Sequence, residues 1–69
     1  MKIQYDKNEN TLYISLAKGE YSDSVKISDT VLVDKDKKGN ILGIEVLDAT
    51  KNIPAFNPEK KDTLKVQTV

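Results

Sequence analysis

Asp34, Asp36, Gly39 and Glu45 fall at the first, third, sixth and twelfth positions of an EF-hand calcium loop. That loop needs oxygen ligands at positions one, three, five, seven and twelve, and a glycine at six for its sharp turn. The Asn40 carbonyl would take the seventh position and Ile41 the apolar eighth. Lys38, however, puts a cation at the fifth position, where a ligand oxygen belongs, and Lys35 and Lys37 crowd the same loop. Both flanks alternate at period two, which is a strand pattern rather than that of the helices orienting such a loop. A hairpin turn with Gly39 supplying positive φ is the expected structure, and no metal or cofactor is expected. Asp34, Asp36 and Glu45 remain the carboxylates of the alternative, a ligand- or metal-binding domain.

Other constellations offer less. Asp6 with Glu9, Asp34 with Asp36, and Glu45 with Asp48 are the close acidic pairs. General acid–base work needs a carboxyl in an apolar pocket with a shifted pKa. Asp6, Glu9, Asp34 and Asp36 are expected in turns, where solvent leaves carboxylates ordinary and their role is turn formation. Glu45 lies mid-strand on the less apolar face near Tyr13, where a cross-strand hydrogen bond or ion pair is the plain reading and an enzyme using Glu45 with Tyr13 the sharper one. No histidine activates a serine, and a Ser24–Lys26 pair on one strand face is a weak substitute. Gly19, Gly39 and Gly43 are too scattered to cradle a phosphate. Of Tyr5, Tyr13, Tyr21 and Phe56, only Tyr13 is placed to stack a base, with Lys26 as a neighbouring charge, so core or interface filling is expected. No catalytic residue is assigned, and the chain is not expected to be an enzyme.

Composition narrows the classes further. At 69 residues the chain holds one domain at most. A chain of this size buries only roughly 60% of its unfolded surface, so disulfides, a metal or association usually support it. Cysteine and histidine are both missing, which excludes disulfides and the usual zinc ligands and leaves homo-oligomerisation as the expected support. Eleven lysines balance eleven acidic residues, and there is no arginine to fork onto phosphate or guanine, so nucleic acid is not an expected partner. Neither an apolar leader segment nor a run of membrane-spanning length is present, and a cytoplasmic location is expected.

The elements that must position these residues are strands. Alternation runs from Ile3 to Leu47: Ile3 and Tyr5, then Leu12, Ile14 and Leu16, then Val25 and Ile27, then Val31 and Val33, then Leu42, Ile44 and Val46. Asp6 to Asn10, Lys18 to Glu20, Ser28 to Thr30 and the Asp/Lys/Gly stretch separate them. The fold class is mainly β: a small antiparallel meander of five to six strands, with one short helical turn expected between Leu47 and Ile53, Asp48 capping it and Pro54 ending it. The apolar face needs cover that so short a turn cannot supply. Tyr13, Leu32, Ile41 and Leu47 on the other face, with Phe56, are the candidate interface residues. A β domain over residues 1–53 is expected, followed by an extension over 54–69. Both prolines lie in its first part, which reads as an irregular linker; Thr63 to Val69 is either a sixth strand or a loose tail.

The opening KIQYDKNENTLYISL and the central SVKISDTVLVDKDKKGNILGIEVLDAT resemble the domain-of-unknown-function family numbered twenty-two eighty-three, small bacterial and archaeal proteins. The resemblance runs from Lys2 to about Ile53 and rests on Tyr5-Asp6, Leu12-Tyr13-Ile14, Asp34 with Asp36 and Gly39, Gly43-Ile44-Glu45 and Leu47-Asp48-Ala49. It implies a small β domain and no reaction. It also suggests an accessory role, antitoxin-like pairing with a neighbouring gene product included. The sequence therefore points to a non-catalytic protein-interaction module that self-associates.

Overall fold

Tyr5 and Leu12 face each other across the first hairpin, and the rest of the core is built on them. The computed structural model of the chain describes residues 1–59 and 67–68. β1 (Lys2–Asp6) and β2 (Thr11–Ser15) pair antiparallel, with Ile3 opposite Ile14 and Tyr5 opposite Leu12. Their turn is tied locally, because the Asp6 Oδ1 accepts the backbone N–H groups of Asn8 and Glu9 at 3.0 and 3.2 Å. Asn10 closes it with φ 50, a left-handed conformation that asparagine tolerates.

β3 (Asp23–Lys26), β4 (Val31–Lys35) and β5 (Ile41–Val46) form a second antiparallel run. β5 docks on β2, and β6 (Gln67–Thr68) lies parallel to β1, giving one sheet in the order β3-β4-β5-β2-β1-β6. The mainly β, antiparallel architecture is the expected one. Its order is not a simple meander, however: residues 16–22 carry the chain from the middle of the sheet to its far edge. Leu42 anchors this crossing, since its carbonyl accepts the N–H groups of both Leu16 and Ala17 at 2.9 and 3.1 Å. A register shift between Asp34 and Lys35 leaves Leu42 as the extra residue of a bulge, with its side chain buried.

Directly opposite residues share a face. One face therefore collects Ile3, Ile14, Ile44, Val33 and Val25 in one row and Tyr5, Leu12, Val46 and Val31 in the next. Among the described residues, cover over this face is one-sided. The described helix α1 (Ala49–Asn52) and the turn after it lie at the Tyr5–Leu12 end, where Ala49 and Phe56 complete the buried cluster and Ile3, Val46 and Ile53 pack around it. Phe56 meets Tyr5 edge-on, with ring centroids 4.9 Å apart. At the opposite end Val25 is 38% exposed and Ile27 63%.

Two expectations need correction. Asp48 stands at the N-cap position of α1, but its backbone is left-handed (φ 47) and its side chain makes no cap bond. Asn10 from the first turn does that work: its carbonyl accepts Ala49 N–H at 2.9 Å, its Oδ1 accepts Thr50 N–H at 3.3 Å, and its amide donates to Thr50 Oγ1 at 2.9 Å. Phe56, expected at an interface, is buried at 5% exposure because it fills the space above Tyr5 that the short helix leaves. Of the expected terminal strand Thr63 to Val69, residues 67–68 form β6, and 63–66 and 69 lie outside the described residues. Among the described residues no helix is long and apolar enough to cross a membrane.

Candidate functional site

On the opposite face of the sheet the register writes two polar rows. Gln4, Tyr13, Glu45, Leu32 and Lys26 form one, and Lys2, Ser15, Gly43, Asp34 and Ser24 the other. Asp34 and Glu45 thus occupy diagonal positions on adjacent strands. The bulge sets this up by placing Asp34 opposite Gly43, so no side chain opposes it directly. Gly43 also makes room on its other side. A Cβ there would lie 2.6 Å from the Tyr13 Cζ and 2.8 Å from the Ile14 carbonyl oxygen, so only glycine lets the Tyr13 ring cross β5.

These residues form one hydrogen-bonded cluster. Asp34 is 6% exposed, and its Oδ1 accepts the Ser24 hydroxyl at 2.6 Å. Ser24 Oγ in turn lies 2.7 Å from the Tyr21 hydroxyl. Glu45 is hydrogen-bonded to Asp34, carboxyl to carboxyl, and this contact first, then desolvation and then the charge of Asp34, push the Glu45 pKa up to about 7. The Tyr13 hydroxyl is pushed above its ordinary value by burial, then by Asp34 and Glu45. Two carboxyls in contact cannot both ionise cheaply, so the pair retains a proton well above the usual carboxylate range. The arrangement can hold and release that proton near neutral pH, or exchange it for a cationic group.

The EF-hand spacing does not assemble. Asp36 turns both oxygens into its own loop, Oδ1 accepting the N–H groups of Lys38 and Asn40 at 2.9 Å each and Oδ2 the Asn40 amide at 3.0 Å. Those bonds, led by the Asn40 side chain, hold its carboxyl below the usual range. Gly39 has φ 86, the positive value that the hairpin reading requires. Glu45 is carried onto the sheet face, away from that turn. Of the carboxylates Asp34, Asp36 and Glu45, the fold brings together the first and the last and leaves Asp36 apart. Among the described residues no group of three His, Cys, Asp or Glu side chains is placed to hold a metal ion.

Asp34 itself departs from expectation: it belongs to β4 and is buried, where turn exposure was expected. The strand runs further than the apolar alternation, because Asp34 satisfies its charge through Ser24 and Glu45 instead of solvent. Ser24 bonds Asp34, so the Ser24–Lys26 pairing gives way to a structural one. Tyr21 was missed, since it precedes the strand; only the cross-strand register of Ser24 with Asp34 reveals it. Tyr13 and Leu32 flank Glu45 on this face, partly buried; Leu47 is partly buried and ties its N–H to the Thr30 carbonyl at 2.7 Å. Ile41 is 49% exposed beside the turn.

Comparison with known proteins fits this geometry into a family. The family model described as Protein of unknown function (DUF2283) matches residues 2–49, from β1 to the first residue of α1. The chain belongs to the DUF2283 family. Tyr13, Ser24, Asp34 and Glu45 all lie inside the DUF2283 match, whereas Phe56 lies beyond it. An uncharacterized protein of Methanocaldococcus jannaschii is 39% identical over 66 residues, which cover 94% of this chain and 53% of that protein. The chain therefore spans about half the length of this curated relative. No solved structure matches.

Proposed function

We propose that this DUF2283 chain is a small non-catalytic interaction module that self-associates, with other proteins as further partners. One observation supports it above the rest: among the described residues the apolar sheet face is filled at the Tyr5–Phe56 end and left open at the β3 end, where Val25 and Ile27 are exposed. Exposed apolar surface gathered at one end of a small sheet is the kind of surface that association buries. The reading keeps the cytoplasmic location expected from the sequence. Sedimentation equilibrium at tens of micromolar tests it; a mass above that of one chain supports the proposal, and a compact, stable monomer overturns it.

A second reading, ligand binding through carboxylates, draws on the buried Asp34 and its contact with Glu45. A cation or cationic group replacing the shared proton would stabilise the fold by mass action. Titration with calcium and with a simple amine, followed by melting temperature and calorimetry, decides it. An unchanged melting temperature at millimolar ligand removes this reading.

A further inference from the structure

β3 ends the sheet on one side among the described residues, and its backbone shows which groups it leaves open. Ile27 N–H donates to the Val31 carbonyl at 2.8 Å, which makes Ile27 and Val31 a hydrogen-bonded pair. Antiparallel ladders alternate, so Val25 opposite Val33 and Asp23 opposite Lys35 also direct their backbone groups toward β4. Ser24 and Lys26 then direct theirs outward. Exposed apolar residues gather along the same edge: Val25 at 38%, Ile27 at 63% and, just before the strand, Tyr21 at 62%. Short edge strands and lysines usually guard against pairing. Here Lys26 lies on the polar face with Ser24, and the apolar face of the edge carries only Val25 and Ile27 beside Asp23.

We propose that β3 pairs antiparallel with β3 of a second copy about a two-fold axis perpendicular to the sheet, with Val25 opposite Val25 of the second copy. This rests on the self-association reading and names its surface. The two-fold keeps like faces on the same side, as an isologous interface requires. Within that constraint only the outward residues can exchange backbone bonds. Ser24 opposite Lys26 of the second copy, and the reciprocal pair, use every outward group of both strands. Centring the pairing on Lys26 would instead set two ammonium groups face to face. Centring it on Ser24 would leave Lys26 opposite Ser22.

Charge also favours the Val25-centred register. Lys26 of the second copy comes to lie opposite Ser24, one strand away from the Asp34 carboxylate that accepts the Ser24 hydroxyl at 2.6 Å. On the apolar face Val25 meets its own counterpart and, diagonally, Ile27 of the second copy, so the exposed ends of two open faces become one. The chain carries no net charge, so two copies do not repel at long range.

Val25→Cys in the full chain gives a direct test, because the native sequence has no cysteine to interfere. Opposed residues of a non-hydrogen-bonded pair have Cα atoms about 4.5 Å apart, within disulfide reach. Mild oxidation should convert V25C to a covalent dimer, whereas I27C, which would face Asp23 of the second copy, should stay uncrosslinked. Sedimentation supplies the second arm. The native chain and L16K, altered at an exposed apolar position away from β3, should sediment at twice the monomer mass, and V25K should lose the dimer while keeping its circular dichroism. A native monomer would overturn both the pairing and the self-association reading. A native dimer that persists in V25K, with V25C uncrosslinked, would overturn the β3 pairing and leave self-association standing.

Discussion

Asp34 and Glu45 sit diagonally on neighbouring strands with their carboxyls in hydrogen-bond contact, on the sheet face opposite the apolar core. Nothing in this contact demands catalysis. A buried carboxyl is costly unless it is hydrogen-bonded, and Asp34 meets that condition through Ser24 on one side and Glu45 on the other. Glu45 serves as donor only while it carries its proton. The pair couples the central hairpin of the sheet to pH.

The first prediction follows from that proton. Glu45 has a pKa near 4.5 when unperturbed and about 7 in the fold, so between these values the folded chain binds more protons than the unfolded one. Stability must then fall as pH rises through this window and level off above it. The loss should be about 1–2 kcal/mol, because solvent screens a partly exposed pair. Tyr13 and Leu32 face Glu45 directly, Asp34 lies diagonal to it, and Lys26 stands beyond Leu32 in the same row. Tyr13 titrates above the window and therefore leaves the slope to the carboxyl pair. Thermal melts should show a higher Tm at pH 5 than at pH 8 for the native chain. Glu45→Gln, whose amide donates without a titrating proton, should flatten the difference and be the more stable protein at pH 8. A native Tm that rises from pH 5 to pH 8 would contradict the assignment.

How far the sequence reveals this arrangement depends on which residues one follows. Strand positions are legible because Ile3, Tyr5, Leu12, Ile14, Ile44 and Val46 alternate with polar residues, and a period of two admits one face assignment. Glu45 beside Tyr13 is legible for the same reason, and the register confirms it. Asp34 is not, because its type and its lysine-rich neighbours signal a turn, while its burial depends on a bulge at Leu42 and a gap at Gly43. The docking of β5 on β2 is equally hidden, since no local signal says which strand edges meet. Phe56 beside prolines reads as linker, and only the packing on Tyr5 shows that it completes the core.

Gly43 offers the second prediction. Gly43→Ala places a methyl against the Tyr13 ring and the Ile14 carbonyl, and the backbone half of that clash cannot be relieved by a rotamer change. Overpacking of this kind costs about 1–3 kcal/mol. Urea unfolding should show the loss, and Tyr13→Ala in the G43A background should recover only part of it, because the Ile14 carbonyl remains in the way.

The third concerns the β4–β5 turn. Asp36→Ala removes the acceptor for the N–H groups of Lys38 and Asn40 and for the Asn40 amide. These are exposed bonds, so a small loss is the expected outcome at neutral pH. Its sign with pH is opposite to that of Glu45. The Asp36 pKa is lowered in the fold, so its contribution is present above the ordinary carboxylate range and fades as pH falls through its folded value. Native and D36A melts should therefore converge in strong acid and separate at pH 5 to 8. A gap that widens in acid would contradict this role.

The last prediction separates the family match from the folding unit. Phe56 lies beyond residues 2–49, yet it is 5% exposed, and its ring stands edge-on to Tyr5 at 4.9 Å within the main buried cluster. Aromatic pairs of this geometry add about 0.5–1.5 kcal/mol to the area they bury. Phe56→Ala should cost about 3 kcal/mol or more, a large fraction of the stability of so small a domain. Chemical denaturation of F56A should show the midpoint falling, with little change in the native circular dichroism at low temperature. Tyr5→Phe is the informative companion, because it keeps the ring contact and removes only the bond from the Tyr5 hydroxyl to Asn10 Oδ1 at 2.8 Å. It should lose about 1 kcal/mol. If F56A melts like the native chain, the core closes without this residue and the folding unit ends with the helix. If F56A is strongly destabilised and Y5F only mildly so, the unit that folds extends past the family match, because a four-residue helix cannot cover Tyr5 and Leu12 alone.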